Sequence, residues 1–398
     1  MNSFNYELDQ RLVALREQNL FRELRRVDSP QGVRIEFGGK SFLNFSSNDY
    51  LGLANHPALK EASINAVKGF GVGAGASRLI SGSIAPFHQL EEALAAFKKT
   101  DAALTFSTGY AAALGTITAL LGRDDIIILD KLVHASIVDA AKLSGAKLRI
   151  FDHNDLNDLE RILKWANEKS TTRQSHVLVV TESIFSMDGE CAPLREIVAL
   201  KEKYGAWLMV DEAHATGILG WNGRGLSDEL GVSQQIEVKM GTLGKAIGAS
   251  GGFICGSRPL VDYLVNRARS FIFSTAPAPA AAAAALAGIQ LIQTNEGENL
   301  RARLQQRVAE LKSALHAPRS ANESAIIPLI LGDEAGAVAA ATKLREQNIF
   351  VPAIRYPTVA RGSARLRITL TAAHTVDDIS ELVWALKPIP GYKSGIAK

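Results

Sequence analysis

Lys245 is the residue whose surroundings in this sequence point most directly to chemistry. It lies in K-M-G-T-L-G-K-A-I-G-A-S-G-G, residues 239–252, among five glycines and several small side chains. A lysine normally keeps its ammonium group hydrated, but bare backbone offers few polar partners, and a poorly solvated amine becomes a nucleophile. The alternative is a solvated lysine in an ordinary glycine-rich loop. Partners for a cofactor bound to Lys245, placed elsewhere in the chain, would decide between the two.

A second reactive pair, Asp211 and His214, lies in D-E-A-H-A-T-G, residues 211–217, directly after the apolar run 207–210. A carboxylate at the end of a buried strand is costly unless it is paired. A protonated pyridine nitrogen would be such a partner, and keeping that nitrogen protonated makes the ring an electron sink. His214 would then reach a phenolic oxygen on the same ring. A metal site that includes Glu212 lacks a second cluster of ligands, so we predict no metal.

A phosphate-binding turn is predicted at S-T-G-Y-A-A-A, residues 107–113, where Gly109 and Tyr110 start an alanine-rich helix after the apolar run 102–106. Free backbone N–H groups and the positive end of the helix dipole attract phosphate at such a point. A plain strand-to-helix turn has the same sequence pattern and is the alternative. Thr242, in the glycine-rich segment, can add a hydroxyl group to a phosphate.

Four further polar side chains follow apolar runs. His134 comes after the run 126–129 and can stack on a flat heteroaromatic ring, although a lone histidine is more often structural. Ser186, after a later run, offers a short hydroxyl near the strand ends. Ser274 and Thr275 precede a helix start marked by proline, which makes them candidates for a further phosphate contact.

Together these side chains match the needs of pyridoxal 5'-phosphate (PLP) held by a lysine as a Schiff base. They offer a phosphate-binding turn, an imidazole to stack on the ring, a carboxylate for the ring nitrogen and the lysine itself. The sequence therefore predicts a PLP site.

The elements that must position these residues alternate regularly along the chain. Short runs rich in valine, isoleucine and leucine recur with helical patterns between them, which is typical of a mostly parallel sheet covered by helices on both faces. Ligands bind such sheets at the carboxyl ends of the strands. The seven runs are 102–106, 126–129, 148–151, 177–180, 207–210, 236–240 and 253–255.

We predict three regions, an N-terminal helix with a short β segment, a large PLP-binding domain and a small C-terminal α/β domain, at residues 1–60, 61–287 and 288–398. The N-terminal helix is expected over residues 1–27, with Arg22, Arg25 and Arg26 in its last turn. An alanine-rich helix over 280–292 is expected to continue through a charged helical stretch, 296–315, into the C-terminal domain.

Composition limits the class of protein. The 398 residues are 47% hydrophobic and 21% charged, with a net charge of +3 and no long basic run, so we predict no nucleic-acid partner. The two cysteines lie far apart, which favours a reducing compartment. The N-terminus has no apolar core of a signal peptide, and the most apolar stretch is shorter than the roughly 20 residues that a membrane span needs. We expect a soluble, cytoplasmic protein.

The ordered motifs resemble those of the α-oxoamine synthases, PLP-dependent enzymes of fold type I that condense an amino acid with an acyl thioester. The motifs run through nearly the whole chain: L-N-F-S-S-N-D-Y-L-G-L (43–53), S-T-G-Y (107–110), D-K-L-V-H-A-S (130–136), V-T-E-S-I-F-S-M-D-G (180–189), V-D-E-A-H-A-T-G (210–217), G-T-L-G-K-A-I-G (241–248) and F-S-T-A-P-A-P (273–279). The resemblance implies a mostly parallel seven-stranded sheet sandwiched by helices, a smaller C-terminal α/β domain, an N-terminal helical segment and a homodimer with active sites at its interface.

The resemblance also implies roles for the matching residues. Lys245 would form the Schiff base and exchange protons at the substrate α-carbon. By the same resemblance, Asp211 would hold the pyridinium nitrogen, His214 would bind the phenolic oxygen, and His134 would stack on the ring. Ser186 would lie beside the cofactor. Gly109, Tyr110 and Thr242 would bind the phosphate, and Ser274 or Thr275 of the partner subunit would add a contact to it. Substrate contacts are implied for Arg22 and Thr358, and a hold on a substrate carboxylate for Arg355.

Two segments resemble the biotin-pathway branch of this family, G-A-S-R-L-I-S-G (75–82) and A-I-R-Y-P-T-V-A-R-G-S-A-R-L-R-I-T-L-T-A-A-H (353–374). That branch joins L-alanine to a pimeloyl thioester, carried by CoA or an acyl-carrier protein, with loss of CO2. Y-P-T-V is shared with aminolevulinate synthases, so the alternative is a glycine-using sister enzyme, a 5-aminolevulinate synthase or a 2-amino-3-ketobutyrate CoA ligase. A non-catalytic scaffold subunit of this fold would be expected to lack Lys245.

Overall fold

The computed structural model of the protein describes residues 3–169, 175–318 and 323–389. The chain forms two compact units. The larger unit contains Leu51–Ser186 and Glu190–Arg301, and the smaller unit contains the residues before Leu51, Met187–Gly189 and the chain from Ala302 onward. The predicted boundaries at residues 1–60, 61–287 and 288–398 remain a proposal.

The helices and strands follow one another as α1 (Ser3–Glu17), β1 (Arg34–Phe37), β2 (Lys40–Asn44), α2 (Pro57–Phe70), α3 (Ala85–Lys98), β3 (Ala102–Phe106), α4 (Gly109–Leu120), β4 (Ile126–Asp130), α5 (Ala135–Ser144), β5 (Lys147–Phe151), α6 (Leu156–Lys169), β6 (Val177–Glu182), α7 (Leu194–Tyr204), β7 (Trp207–Asp211), α8 (Leu226–Glu229), β8 (Val238–Thr242), β9 (Gly252–Gly256), α9 (Arg258–Arg267), α10 (Arg269–Ile272), α11 (Pro279–Leu291), α12 (Asn295–Ala314), β10 (Ile326–Gly332), α13 (Glu334–Glu346), β11 (Ile349–Phe350), β12 (Ala353–Ile354), β13 (Ala364–Thr369) and α14 (Val376–Leu386).

The larger unit is built on a seven-stranded sheet in the order β3-β9-β8-β7-β6-β4-β5. Only β9 runs antiparallel to its neighbours, so the mostly parallel sheet predicted from the seven apolar runs is confirmed. Strands β3, β4 and β9 are buried along their whole length, as expected of strands covered on both faces. Their apolar sequences reflect that double cover.

Helices pack on both faces of this sheet. Ile254 of β9 belongs to a buried cluster with residues of α4, α5 and α9. The thiol of the next residue, Cys255, contacts the backbone carbonyl of Leu94 on α3 at 3.9 Å. Because successive side chains of a strand point to opposite faces, these contacts place α3 on the face opposite α4.

The smaller unit contains two three-stranded sheets, β1-β2-β11 and β10-β13-β12. In the second of these sheets β10 and β13 pair antiparallel, and α14 is the last helix of the described residues. Helix α14 begins with a capping box, in which the Thr375 hydroxyl accepts from the Asp378 N–H and the Asp378 carboxylate accepts from the Thr375 N–H.

The predicted N-terminal helix is wrong at its end, since α1 ends at Glu17 rather than near residue 27. Asn19 adopts a left-handed backbone conformation, with φ of 56°, and the N–H groups of Leu20 and Phe21 both donate to the carbonyl of Leu15. Asparagine tolerates this conformation better than most residues and commonly ends helices in this way. Arg22 therefore lies outside the helix.

The alanine-rich and charged helices, predicted as one continuous stretch, are two helices, α11 and α12. The chain turns so tightly between them that a Cβ at Gly297 would lie 2.4 Å from the carbonyl oxygen of Ile292. The N–H of Thr294 donates to the carbonyl of Leu291 within the turn. Glycine permits this close backbone approach. Among the described residues, no helix combines the length and the apolar character needed to cross a membrane.

Candidate active site

Asp211 is the last residue of β7, and its neighbours across the sheet are Glu182 of β6 and Met240 of β8. The residue is 5% exposed, and its Oδ1 accepts a hydrogen bond from the backbone N–H of Ala213 at 2.9 Å. Burial raises the pKa of the Asp211 carboxyl, and the positive charge of nearby Lys245 opposes that rise. A cationic partner would therefore hold this carboxylate in its ionised form.

Lys245 and His214 meet at the same edge of the sheet. Lys245 lies in the loop between β8 and β9, with its Nζ 2.7 Å from Nε2 of the buried His214. One of these nitrogens donates a hydrogen to the other. Gly248 shapes the loop, because its φ is +73° and a Cβ there would lie 2.5 Å from the Leu53 backbone. The structure thus gathers Lys245, His214 and Asp211 into one cluster.

The turn before α4 has the properties of an anion site. The N-cap residue, Thr108, accepts the N–H of Ala111 at 3.0 Å, while the N–H groups of Gly109 and Tyr110 have no hydrogen-bond partner among the described residues. A Cβ on Gly109 would lie 3.9 Å from Oγ1 of Thr242, so that hydroxyl lies beside the turn. Such free N–H groups at a helix start bind phosphate readily.

His134 and Ser186 follow the carboxyl ends of β4 and β6. His134 is the N-cap residue of α5, and its Nδ1 accepts the N–H of Ser136 at 3.2 Å. Although part of the residue is accessible, loss of hydration lowers the pKa of its imidazole, and the charge of Asp211 opposes this effect. The backbone N–H groups of His134 and Ser186 both donate to the carboxyl of Glu182. Both residues are therefore held at the edge that carries Asp211.

Ser274 and Thr275 make other contacts in the larger unit. The Ser274 hydroxyl donates to the carbonyl of Ser270 at 2.7 Å, and Thr275 forms an isolated β-bridge with Ser77. The bridge places the backbone of Thr275 beside the glycine-rich segment before α3. Their contact with a phosphate remains a prediction.

Arg22 and Arg355, two of the predicted substrate residues, border a cavity of about 380 Å³ in the smaller unit, together with Arg25, Arg345 and Glu23. Arg22 donates to the carbonyl of Tyr356 at 3.2 Å, and Arg355 donates to backbone carbonyls. Within the described ranges, none of the four arginines has a carboxylate at salt-bridge distance. The cavity is therefore suited to an anion.

The other predicted substrate residue, Thr358, lies on the loop after Arg355, and its N–H donates to the Arg355 carbonyl at 3.0 Å. Loss of hydration lowers the pKa of the Arg355 guanidinium, and the charges of Arg22 and Arg25 lower it further. No sequence motif pointed to Arg25 or Arg345 as part of this group. The sequence predicts Arg25 in the last turn of a helix. Because α1 ends at Glu17, Arg25 lies outside the helix and borders the cavity instead.

The groups at the edge of the sheet fit PLP. The cofactor carries a cationic ring nitrogen, a phenolic oxygen, an aldehyde and a phosphate. The larger unit offers a buried carboxylate (Asp211), an imidazole (His214), an amine (Lys245) and the two free N–H groups before α4. Each functional group of PLP therefore has a complementary group in the cluster.

Residues 40–386 match the model of the aminotransferase class I and II family, and the chain belongs to this family. Within it, the chain is 46% identical to the 8-amino-7-oxononanoate synthase of Geotalea daltonii, over 100% of this chain and 99% of that protein. Two solved structures are also similar. Serine palmitoyltransferase from S. paucimobilis with bound PLP–myriocin has a TM-score of 0.88 at 30% identity and covers 95% of both chains. The 8-amino-7-oxononanoate synthase of Francisella tularensis has a TM-score of 0.73 at 31% identity, over 87% of this chain and 96% of that one. The predicted fold type and family resemblance are confirmed.

His153 lies two residues after β5 and contacts Asp130 at the end of β4, and it makes the stability of the protein depend on pH. Its Nδ1 lies 2.9 Å from Asp130 and its Nε2 lies 3.2 Å from Glu190. Burial lowers the pKa of His153, but the hydrogen bonds and charges of the two carboxylates outweigh it and raise the pKa to about 9. Because the unfolded value is about 6.5, this stabilisation is fully present below about pH 6.5 and is lost as the pH rises through about 9.

We expect His153→Gln to remove that pH dependence. The free energy of unfolding, measured with denaturant across this pH window, should fall with rising pH more steeply in the wild type than in the variant. His88→Gln is the matched control, since His88 is exposed and hydrogen-bonds to the Ser83 hydroxyl. Parallel pH curves for the wild type and His153→Gln would contradict the assignment.

Proposed function

We propose that the protein catalyses the decarboxylative condensation of L-alanine with a pimeloyl thioester, giving 8-amino-7-oxononanoate, CO2 and a free thiol. The observation that carries this proposal is the cluster in which Lys245 Nζ lies 2.7 Å from His214 Nε2, next to the buried Asp211. It is supported by the full-length similarity to proteins named 8-amino-7-oxononanoate synthase.

PLP, when bound, supplies an electron sink that stabilises negative charge at the substrate α-carbon. Asp211 would hold the proton on the ring nitrogen, because its buried carboxylate needs a cationic partner. His214 would hydrogen-bond to the phenolic oxygen. The N–H groups of Gly109 and Tyr110 would hold the phosphate, and the Thr242 hydroxyl, which donates to the Gly251 carbonyl at 2.9 Å, would join them by turning to the phosphate.

Lys245 is the acid–base group of the proposal. Its amine would take the α-proton of alanine and return a proton to the same carbon after CO2 has left. His214 Nε2 lies 2.7 Å from this amine. His134 would stack on the ring and Ser186 would lie beside it.

Substrate contacts are proposed for Arg22, Arg355 and Thr358, with Arg355 holding a carboxylate. The support is the surplus of positive charge at the arginine cavity of the smaller unit. A pimeloyl thioester carries a free carboxylate at its far end, and alanine carries its own. Guanidinium groups bind such carboxylates through paired hydrogen bonds.

We also propose that the protein is a cytoplasmic homodimer, with Ser274 or Thr275 contributed to the partner's phosphate. Every residue of α1 is exposed, including the apolar Phe4, Leu8 and Leu12. An apolar helix face of this kind is expected to be covered by another surface. Both cysteines are free thiols, in keeping with a reducing compartment. Light scattering after size exclusion would show twice the chain mass, and a monomer would contradict the dimer.

The test of the function is an assay of the PLP-loaded protein with alanine and pimeloyl-CoA, which measures thiol release and the mass of the product. Release of thiol together with 8-amino-7-oxononanoate is the expected result. Release only with glycine and succinyl- or acetyl-CoA would replace the proposal by the sister activities. No release with any pair, in protein shown to hold PLP, would favour a scaffold subunit. Pimeloyl-acyl-carrier protein, tested in parallel, distinguishes the two acyl carriers.

A further inference from the structure

Glu182 is a buried carboxyl group that none of the roles above uses. It is the last residue of β6, is 2% exposed and pairs across the sheet with Asp211. Two acidic side chains therefore end neighbouring strands at the edge where the proposed cofactor site lies. Two ionised carboxylates so placed inside a protein would repel each other strongly, which favours a proton on one of them.

The hydrogen bonds of Glu182 connect two loops. The backbone N–H groups of His134, before α5, and of Ser186, after β6, donate to its carboxyl. Its Oε1, in contrast, is buried and has no hydrogen-bond partner among the described residues. An ionised oxygen in that position would lack any donor, whereas a protonated oxygen loses far less free energy there.

The charges around Glu182 favour keeping its proton. Asp211 ends β7, Lys245 lies in the loop after β8, and His134 precedes α5. Burial and the charge of Asp211 raise the pKa of Glu182 well above its ordinary range, and they outweigh the opposing effects of Lys245 and of the backbone N–H groups of His134 and Ser186. The other titratable groups that face these residues are Glu212, His214 and Asp139.

Asp211 is the better of the two carboxyls to carry the charge. It accepts the Ala213 N–H, and its oxygens are not among the buried atoms without a partner in the described part of the chain. When two carboxyls share a site, their environments drive their protonation apart, and one stays neutral. The orphaned oxygen identifies Glu182 as the neutral member.

We propose that Glu182 is a positioning residue that retains a proton, so that the Glu182–Asp211 pair carries one negative charge and Asp211 alone is ionised. The neutral carboxyl accepts N–H groups from the loops of His134 and Ser186 and holds both loops at the sheet edge. The effect of this protonation on the cofactor rests on the proposed function, in which an ionised Asp211 binds the ring nitrogen. The protonation of Glu182 itself does not depend on the substrates.

Glu182→Gln is the variant that tests the proposal, because an amide has the same shape as a neutral carboxylic acid and still accepts the two N–H groups. Infrared difference spectra of wild type minus Glu182→Gln, both loaded with PLP at neutral pH, should contain the carbonyl band of a protonated carboxylic acid. Turnover of the variant should stay within about threefold of the wild type. Absence of the band, with a large loss of turnover in Glu182→Gln, would overturn the proposal.

A second readout uses the sign of a pH slope. A carboxyl with a raised folded-state pKa stabilises the fold below its unfolded pKa of about 4.3, and stability falls as the pH rises above that value. The folding equilibrium constant of Glu182→Gln, relative to that of the wild type, should therefore increase by up to about tenfold per pH unit above about pH 4.3. An ionised, well-bonded Glu182 would give the opposite slope.

Glu182→Ala completes the set, since it removes the carboxyl that accepts the N–H groups of His134 and Ser186. It should weaken PLP binding by at least about tenfold, while Glu182→Gln binds PLP like the wild type. Equal PLP affinity in both variants would remove the positioning role. A failed thioester assay with the infrared band present would refute only the proposed function, and a successful assay without the band would refute only this inference.

Discussion

Lys245→Ala should abolish thiol release from the pimeloyl thioester while leaving the fold intact. Lys245 lies in a loop rather than in a strand, and its amine makes its contact with His214 at the rim of the sheet, so truncation leaves the buried core untouched. Loss of the proton transfers alone should lower kcat by roughly 10²–10⁴-fold. Loss of the covalent attachment to the cofactor adds to this effect.

Lys245→Arg and Lys131→Ala are the matched controls. Lys245→Arg keeps a positive charge beside His214 but has no nucleophilic amine, so it should be as inactive as the alanine variant. Lys131→Ala removes an exposed lysine that pairs with Asp152, and it should keep full activity. Circular dichroism would verify that all three proteins are folded. Substantial turnover in Lys245→Ala would refute the proposed role of this lysine.

Lys98→Met should cause the largest loss of stability. The Lys98 ammonium is buried and donates to Glu212 and to the Thr216 hydroxyl, both at 2.9 Å, and to the carbonyl of Arg224. Removing the lysine leaves the Glu212 carboxylate buried without its counterion. Breaking a buried pair in this way costs about 3–5 kcal/mol in the free energy of unfolding, measured by denaturant titration.

The double variant Lys98→Met with Glu212→Gln tests whether the unpaired charge is the cause. Glutamine can still accept the N–H of Ser227, which donates to Glu212 at 2.9 Å. The double variant should therefore be more stable than Lys98→Met alone, with a coupling of about 0.5–3 kcal/mol. Lys99→Met, at the exposed neighbouring position, should change stability by no more than about 0.5 kcal/mol. Additive effects of the two substitutions would contradict the account.

The sheet and most of its helices were predictable because their apolar runs are fully buried. A strand covered on both faces, such as β4, must be continuously apolar, and the sequence I-I-I-L shows this directly. Asp211 and His214 were predictable for the same reason, because a charged residue directly after such a run marks the end of a strand. Parallel topology then places the ends of several strands at one edge.

Glu182 lies in the motif 180–189 but receives no role from the sequence, because the apolar run before it ends at Val180. Strand β6 continues for two polar residues, since Thr181 and Glu182 keep pairing with Val210 and Asp211 of β7. Backbone pairing with a neighbour, rather than side-chain character, sets the end of this strand. A hydrophobic pattern cannot register such an extension.

The ends of helices were the least predictable feature. The apolar spacing and the charges that suggested a helix to residue 27 continue past Glu17, and the stop depends on the left-handed conformation of Asn19. The break between α11 and α12 depends on the close approach of Gly297 to Ile292. Both are local backbone events that override helix propensity. The arginine cavity follows from the first of them, because Arg25 faces the cavity only once α1 has ended.

The most direct test of the account is to locate the attachment of PLP. The PLP-loaded protein would be reduced with borohydride, digested and mapped by mass spectrometry, with Lys245→Arg treated in parallel. We expect a pyridoxyl group on Lys245 in the wild type and none at that position in the variant. A pyridoxyl group on a different lysine, or an unlabelled protein at saturating PLP, would contradict it.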